Sequence, residues 1–314
     1  MRQELAPLPT APSPAFWYRI GWLLLLTIFL SYLFVAQLLF LLLPASLLFA
    51  NAGGQLLGMW LPSFLIFRRL PLSYRQVAYR LPPADAAFWG WAAVGFGALL
   101  ALTVALPTVV LLLLPDSVVP WFQQQLQRSL ERYQDLMGDA SRFSLLLAAA
   151  VVPALSEETL FRGIFLNTLR IRHSFWVSIT VSAVIFAVVH FDPAHLLELF
   201  LLGSYLALLA LVSRSLWVPI VFHLLNNGLA LLTFASMQPF GSVDPLPIEW
   251  WLPLTTGGVA GLSLAVRQLL CWQRHTNIGD AAPLPAVPEP HPPASAPEQE
   301  ESRQGDGTSG AMAE

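Results

Sequence analysis

Eight apolar runs of membrane-spanning length dominate this chain of 314 residues. A helix needs about 20 mostly apolar residues to cross the hydrocarbon core of a bilayer. Such runs occupy residues 17–43, 45–67, 86–114, 143–169, 174–191, 194–212, 215–236 and 250–271. Because lipid cannot hydrogen-bond to the backbone, runs of this kind are expected to be helical. The sequence therefore predicts an all-α, polytopic membrane protein with about eight transmembrane helices, whose main partner is the lipid bilayer.

The charge content supports this class and excludes others. Charged residues make up 11% of the chain, against about 25% in soluble domains. The sequence contains no basic patch, so a nucleic-acid partner is not expected. Cys271 is the single cysteine, which excludes an intramolecular disulfide and a cysteine-based metal site.

The placement of arginine predicts the orientation. With both termini inside, twelve arginines fall on the cytoplasmic side and three on the other, with Arg162 buried. Positively charged residues accumulate in cytoplasmic loops, so we expect a multi-pass protein with cytoplasmic termini, in a bacterial plasma membrane.

Three regions follow from the composition. Residues 1–16 form an N-terminal cytoplasmic segment, and 17–273 form the transmembrane domain. Residues 274–314 form a Pro/Glu/Ala-rich tail that we expect to be disordered, because it lacks apolar periodicity. Within the transmembrane domain, residues 115–142 suit an amphipathic helix on the surface, and a connecting role is favoured over that of a lid.

Polar residues interrupt three of the apolar runs. An ionisable side chain at the centre of a membrane helix costs about 2.5–3.5 kcal/mol on insertion scales, so such residues are rare and usually functional. The interruptions are Glu157, Glu158, Arg162, His190, His223 and Asn227.

Their spacing predicts that they converge. The midpoint between Glu157 and His190 falls in the arginine-rich turn between the fourth and fifth runs. Antiparallel helices leaving that turn carry both residues to a depth of about 20 Å, at 1.5 Å per residue. Asn227 lies thirteen residues after Arg214, also about 20 Å along its helix. His223 lies one turn below Asn227 on the same face.

Helical spacing also separates the two glutamates. Glu158 and Arg162 are four residues apart and share a face, so they can form an ion pair. Glu157 projects about 100° away and is free to meet the two histidines. This set suits attack by water on a carbonyl, with Glu157 as general base and His190 orienting the water. His223 and Asn227 would donate hydrogen bonds to the oxyanion.

Two alternatives use the same residues. A zinc hydrolase would bind the metal through Glu157, His190 and His223 and leave one position for water. A non-catalytic membrane scaffold, or a proton-coupled carrier, would use the polar core without hydrolysis.

Three motifs resemble those of a known family. The segment SEETLFRG has the pattern E-E-x-x-x-R from Glu157 to Arg162, FAVVH has F-x-x-x-H from Phe186 to His190, and HLLNN has H-x-x-x-N from His223 to Asn227. In this order they resemble the CPBP family of intramembrane glutamic endopeptidases, which includes type II CAAX prenyl endopeptidases and bacteriocin-processing proteases.

The resemblance covers residues 143–236. It implies an eight-helix fold and peptide hydrolysis without a metal or other cofactor. The implied substrate is a membrane-associated peptide or protein, lipidated or of leader type; the oligomeric state is left open. The implied site is Glu157, His190, His223 and Asn227, supported by Glu158, Arg162 and Phe186.

Overall fold

Helices make up the regular structure of the part of the chain that the structure describes. The computed structural model describes residues 13–42, 47–70, 75–137, 140–236 and 245–276. Their helices are α1 (Pro14–Leu42), α2 (47–67), α3 (Ala86–Leu113), α4 (Val119–Met137), α5 (Arg142–Leu169), α6 (Phe175–Val188), α7 (Leu196–Ser213), α8 (Trp217–Ser236) and α9 (Ile248–His275). Most of the N-terminal segment and the predicted disordered tail lie outside the described residues.

Each of the eight predicted runs coincides with a helix. Among the described residues, α1, α3, α5, α7 and α9 are long and apolar enough to cross a membrane. Helices α6 and α8 are apolar but shorter, and α2 carries the polar residues Asn51 and Gln55 in its first half. The all-helical membrane class is confirmed, and the count of eight spans stays a prediction.

The core of the bundle lies around α5 and α7. Every residue from 156 to 169 is buried, and α7 is buried from Tyr205 to Ser213. By contrast, α1 and α9 expose large apolar side chains, including Phe34, Leu41 and Trp250. Outward apolar surface suits lipid contact. The polar residues of α5 therefore lie in the part of the molecule most shielded from its surroundings.

Two helices depart from α-helical geometry beside a proline. In α5 the stretches Leu146–Val151 and Thr159–Phe165 are π-helical and flank Val152–Glu158. In α2 the stretch Gln55–Trp60 is π-helical. Pro153 and Pro62 follow the first and last of these stretches, and proline removes the backbone N–H that an α-helix needs. Such π turns are frequent at functional sites.

The amphipathic segment forms α4. Its buried face carries Phe122, Leu126 and Ser129, which follow helical spacing. Phe122 and Leu126 pack against Leu111 of α3 and Ala194 of the α6–α7 turn. Helix α4 thus lies on the turn that directly follows His190.

Candidate active site

The polar residues of the three motifs meet between α5, α6 and α8. Glu157 Oε2 lies 3.7 Å from His190 Nε2 and 3.9 Å from His223 Nε2. Glu157 is only 8% exposed. Its Oε2 has no hydrogen-bond partner among the described residues. One carboxylate oxygen therefore faces two imidazole nitrogens from two other helical segments.

His190 does not lie within a helix, contrary to the predicted run 174–191. Helix α6 ends at Val188, and His190 lies in the turn that follows. Phe191 has a left-handed φ of 51°, and Pro193 comes two residues later, so the helix cannot continue. Fourteen residues of α6 reach about 21 Å, which agrees with the predicted depth of His190.

The turn fixes the imidazole of His190. Its Nδ1 lies 2.6 Å from the Phe186 carbonyl oxygen. Since a carbonyl oxygen only accepts, Nδ1 carries the hydrogen and donates it. In the neutral ring Nε2 is then a hydrogen-bond acceptor, and it is the nitrogen that faces Glu157. The ring also packs on Phe186, with centroids 4.7 Å apart.

Glu158 contacts a histidine of the site in addition to its predicted partner Arg162. Its Oε1 accepts from Arg162 Nη1 at 2.9 Å, as the four-residue spacing predicts. The same oxygen lies 2.9 Å from His223 Nδ1, a contact that the sequence did not indicate. Glu158 and Arg162 are both 0% exposed. Because Nδ1 of His223 donates to this carboxylate, Nε2 of His223 carries a hydrogen only when the ring is protonated.

Two further contacts hold Arg162. Its Nη2 donates to the Gly203 carbonyl oxygen at 2.9 Å, and its guanidinium lies 4.6 Å from the centroid of the Phe186 ring. A Cβ atom on Gly203 would meet Phe186 at 3.1 Å and the Ala183 backbone at 3.3 Å. Glycine thus lets α7 approach α6 closely enough for its carbonyl to reach the arginine. Phe186 contacts the arginine and both histidine rings.

Asn227 lies one helical turn beyond His223 on α8 and is half-buried. Its Oδ1 accepts from Asn226 Nδ2 at 3.3 Å. No contact within the described part of the chain joins Asn227 to Glu157. The structure therefore brings Glu157, Glu158, Arg162, His190 and His223 into one network, with Asn227 beside it.

Sequence reasoning missed polar residues on the first two helices. The Tyr32 hydroxyl donates to Asn51 Oδ1 at 2.6 Å, and the charge of Glu157 acts on that hydroxyl. Gln55 is 6% exposed. These residues lie outside the three motifs, but single polar residues in apolar runs were the signal that could have identified them.

Within the described residues, no group of three or more His, Cys, Asp or Glu side chains is arranged to hold a metal ion. Nδ1 of His190 and Nδ1 of His223 are both occupied by protein contacts. Of the four imidazole nitrogens of His190 and His223, the two Nε2 atoms that face Glu157 stay without a protein hydrogen bond among the described residues.

Fold and site together define an all-helical membrane protein with a buried acid–imidazole site. Residues 139–229 match the family "Type II CAAX prenyl endopeptidase Rce1-like". This segment contains all three motifs, and the match confirms the family resemblance that they predicted. It supports a membrane peptidase.

Two curated relatives align over the same part of the chain. The "Putative membrane peptidase YdiL" of Bacillus subtilis (strain 168) is 32% identical over 88 residues, which are 28% of this chain and 36% of the relative. An "Uncharacterized 24.3 kDa protein" of Escherichia coli is 35% identical over 92 residues, 28% of this chain and 42% of the relative. The chain thus spans less than half the length of either relative. No solved structure matches it significantly.

Proposed function

We propose that this protein is an intramembrane endopeptidase that hydrolyses peptide bonds with water activated by Glu157. The observation that supports this most is the convergence of Glu157 Oε2 with Nε2 of His190 and Nε2 of His223, at 3.7 and 3.9 Å. These separations exceed a direct hydrogen bond, and we infer that the reacting water binds beside the three groups. Glu157 and His190 can then both accept hydrogens from that water.

The proton movements follow from the donors and acceptors. The water oxygen bonds to the scissile carbonyl carbon while its proton passes to Glu157. The carbonyl oxygen becomes an oxyanion, which His223 and Asn227 stabilise by donating hydrogen bonds. The C–N bond then breaks, and Glu157 returns the proton to the leaving amine. No metal or other cofactor takes part.

The donor role of His223 requires a protonated ring, because Nδ1 is already directed to Glu158. Nε2 of His223 lies 3.9 Å from Glu157 Oε2, so a hydrogen on that nitrogen would be directed into the site.

The substrate we propose is a membrane-associated peptide or protein, lipidated or of leader type. The family description names CAAX prenyl endopeptidases, and one relative is named as a membrane peptidase. The burial of the site between apolar helices supports substrates that are themselves held at the membrane.

The test uses the full chain in liposomes with three internally quenched peptides: one with a farnesylated CAAX end, the same peptide without the lipid, and a membrane-anchored leader peptide. Glu157→Gln should lower kcat by about 10²- to 10⁴-fold, the usual contribution of a general base. Glu249→Gln is the matched control, because Glu249 is exposed on α9. It should cleave like the parent.

Other outcomes would contradict the proposal or favour an alternative function. Equal cleavage by Glu157→Gln and the parent would contradict it. Activity that a chelator removes and zinc restores would favour the zinc hydrolase. No cleavage of any peptide by the parent would favour a scaffold or carrier.

A further inference from the structure

Helices α1 and α2 contribute a second polar cluster beside Glu157, which the proposed hydrolysis does not use. It consists of Tyr32, Asn51 and Gln55. Tyr32 donates its hydroxyl hydrogen to Asn51 Oδ1 at 2.6 Å. Gln55 lies one helical turn after Asn51, on the same face of α2 and beside this hydroxyl.

The carbonyl oxygen of Gln55 is buried and unpaired in the described part of the chain. Gln55 is 6% exposed, and its Oε1 has no hydrogen-bond partner among the residues described. A buried acceptor without a donor costs about 1–3 kcal/mol. Such a cost is tolerated where a ligand supplies the missing donor.

The fold places Gln55 on the stretch of α2 that packs against the segment of Glu157. Gln55 begins the π-helical stretch of α2, and this stretch packs against Val152–Glu158 of α5. Gly58 brings α1 against α2, because a Cβ atom there would lie 2.7 Å from the Tyr32 Cα. Close packing of α1 on α2 therefore brings Tyr32 to the polar side chains of α2.

We propose that Gln55 is a substrate-binding residue whose Oε1 accepts a main-chain N–H of the peptide, with Tyr32 and Asn51 as its positioning residues. This inference rests on the proposed function. A peptide that enters an apolar site in extended form brings unpaired N–H groups, each of which is costly unless the protein supplies an acceptor. A contact to the main chain also binds peptides of different sequence.

Gln55→Met keeps the length of the side chain and removes its hydrogen bonds. We expect KM to rise about tenfold while kcat changes less than about twofold, since the contact binds substrate and transition state alike. Ser63→Ala is the matched control, because Ser63 is a buried, unpartnered polar residue of the same helix. It should leave KM unchanged.

A second series removes the donor from the substrate. Peptides in which single amide N–H groups are replaced by ester oxygens are tested with both proteins. One ester should raise KM about tenfold for the parent and have no further effect on Gln55→Met. A purely structural role of Gln55 would not produce this coupling.

The outcomes separate the two proposals. If Gln55→Met matches the parent in KM, or loses kcat at constant KM, the proposed substrate contact of Gln55 is wrong. An inactive Glu157→Gln variant would still support the proposed hydrolysis. If Gln55→Met does not fold, Tyr32→Phe is tested with the ester peptides in its place. If the effects of Tyr32→Phe and of each ester on KM are then simply additive, the proposed contact between Gln55 and the substrate is wrong. If the parent cleaves no peptide, both proposals fall.

Discussion

At the scale of single residues, one carboxylate oxygen organises the buried charges. Glu158 Oε1 accepts from Arg162 and from His223, each at 2.9 Å. Arg162 is fully buried, so its charge depends on this partner. Removal of one member of a buried ion pair costs far more than removal of both. Glu158 therefore has two separable roles: it neutralises Arg162, and it fixes which nitrogen of His223 faces Glu157.

Glu158→Gln should separate these roles when it is combined with Arg162→Met. The single variant leaves a buried guanidinium unpaired and should lose about 3–5 kcal/mol of unfolding free energy. The double variant should recover most of that stability in a thermal denaturation assay. Peptide cleavage should stay low in both, because the amide oxygen of glutamine is a weaker acceptor for His223 Nδ1 than the carboxylate of Glu158. Recovery of cleavage in the double variant would show that Glu158 acts only on Arg162.

The sequence could predict part of this site. The i,i+4 spacing sufficed for the Glu158–Arg162 pair, since both residues lie on one helix. The bond between Glu158 and His223 depends on how α8 is rotated about its axis, which helix–helix packing determines. Gln55 could not be assigned to the site from the sequence, because a single amide in an apolar run belongs to no motif.

At the scale of elements, a polar cluster fastens α4 to the turn after His190. Ser129 donates to Asp192 Oδ2 at 2.6 Å. His195 Nδ1 and Arg132 Nη2 lie 3.1 and 3.3 Å from the same oxygen. Ser129 and Asp192 both contact His195 through Nδ1, so the three do not form a Ser-His-Asp relay. The cluster instead holds the turn that carries His190.

The attachment of α4 should weaken as pH rises above neutrality. Burial lowers the pKa of His195, but its hydrogen bond to Asp192 and the charge of Glu198 outweigh burial and raise it. The stabilisation is complete below about pH 6.5 and is lost as pH rises through the raised pKa.

The contribution of Asp192 to the same cluster depends on pH in the opposite direction. Burial raises the pKa of Asp192, yet hydrogen bonds from His195 and Ser129 outweigh it and hold the pKa at about 2. That contribution is present above about pH 3.9 and is lost only as pH falls toward 2. Attachment is therefore strongest between about pH 4 and 6.5.

Hydrogen exchange of the α4 amides, corrected for intrinsic rates, measures this attachment. Protection should fall in the parent as pH rises above about 6.5. Asp192→Asn should lower protection throughout and abolish the pH dependence. Arg128→Gln, an exposed change on α4, should behave like the parent. Constant protection of the parent across this range would contradict the role of His195.

At the scale of the whole molecule, the arginine-rich turns lie together at one end of the bundle. Ala78 N donates to the Arg214 carbonyl oxygen at 3.3 Å, and Arg170 Nε donates to Gln76 Oε1 at 3.2 Å. These contacts join the α2–α3, α5–α6 and α7–α8 connections. Apolar run lengths sufficed to locate all the described helices except α4, because lipid imposes that length; α4 was predicted from its amphipathic spacing. The predicted run 174–191 extends past the end of α6 at Val188. Hydropathy does not reveal this end, because a broken helix is tolerated in a membrane where protein covers it.

The gathered arginines predict which end faces the cytoplasm. In a Cys271→Ser background, Arg69→Cys places a thiol at the arginine-rich end and Asp116→Cys places one at the α3–α4 turn. Both positions are exposed. A membrane-impermeant maleimide should label Asp116→Cys in intact cells and Arg69→Cys only after permeabilisation, because positive charge is retained in the cytoplasm. The reverse labelling pattern would show that the arginine-rich end faces away from the cytoplasm. Since α6 carries His190 about 21 Å from the arginine-rich end, the expected result would also place the site nearer the outer leaflet.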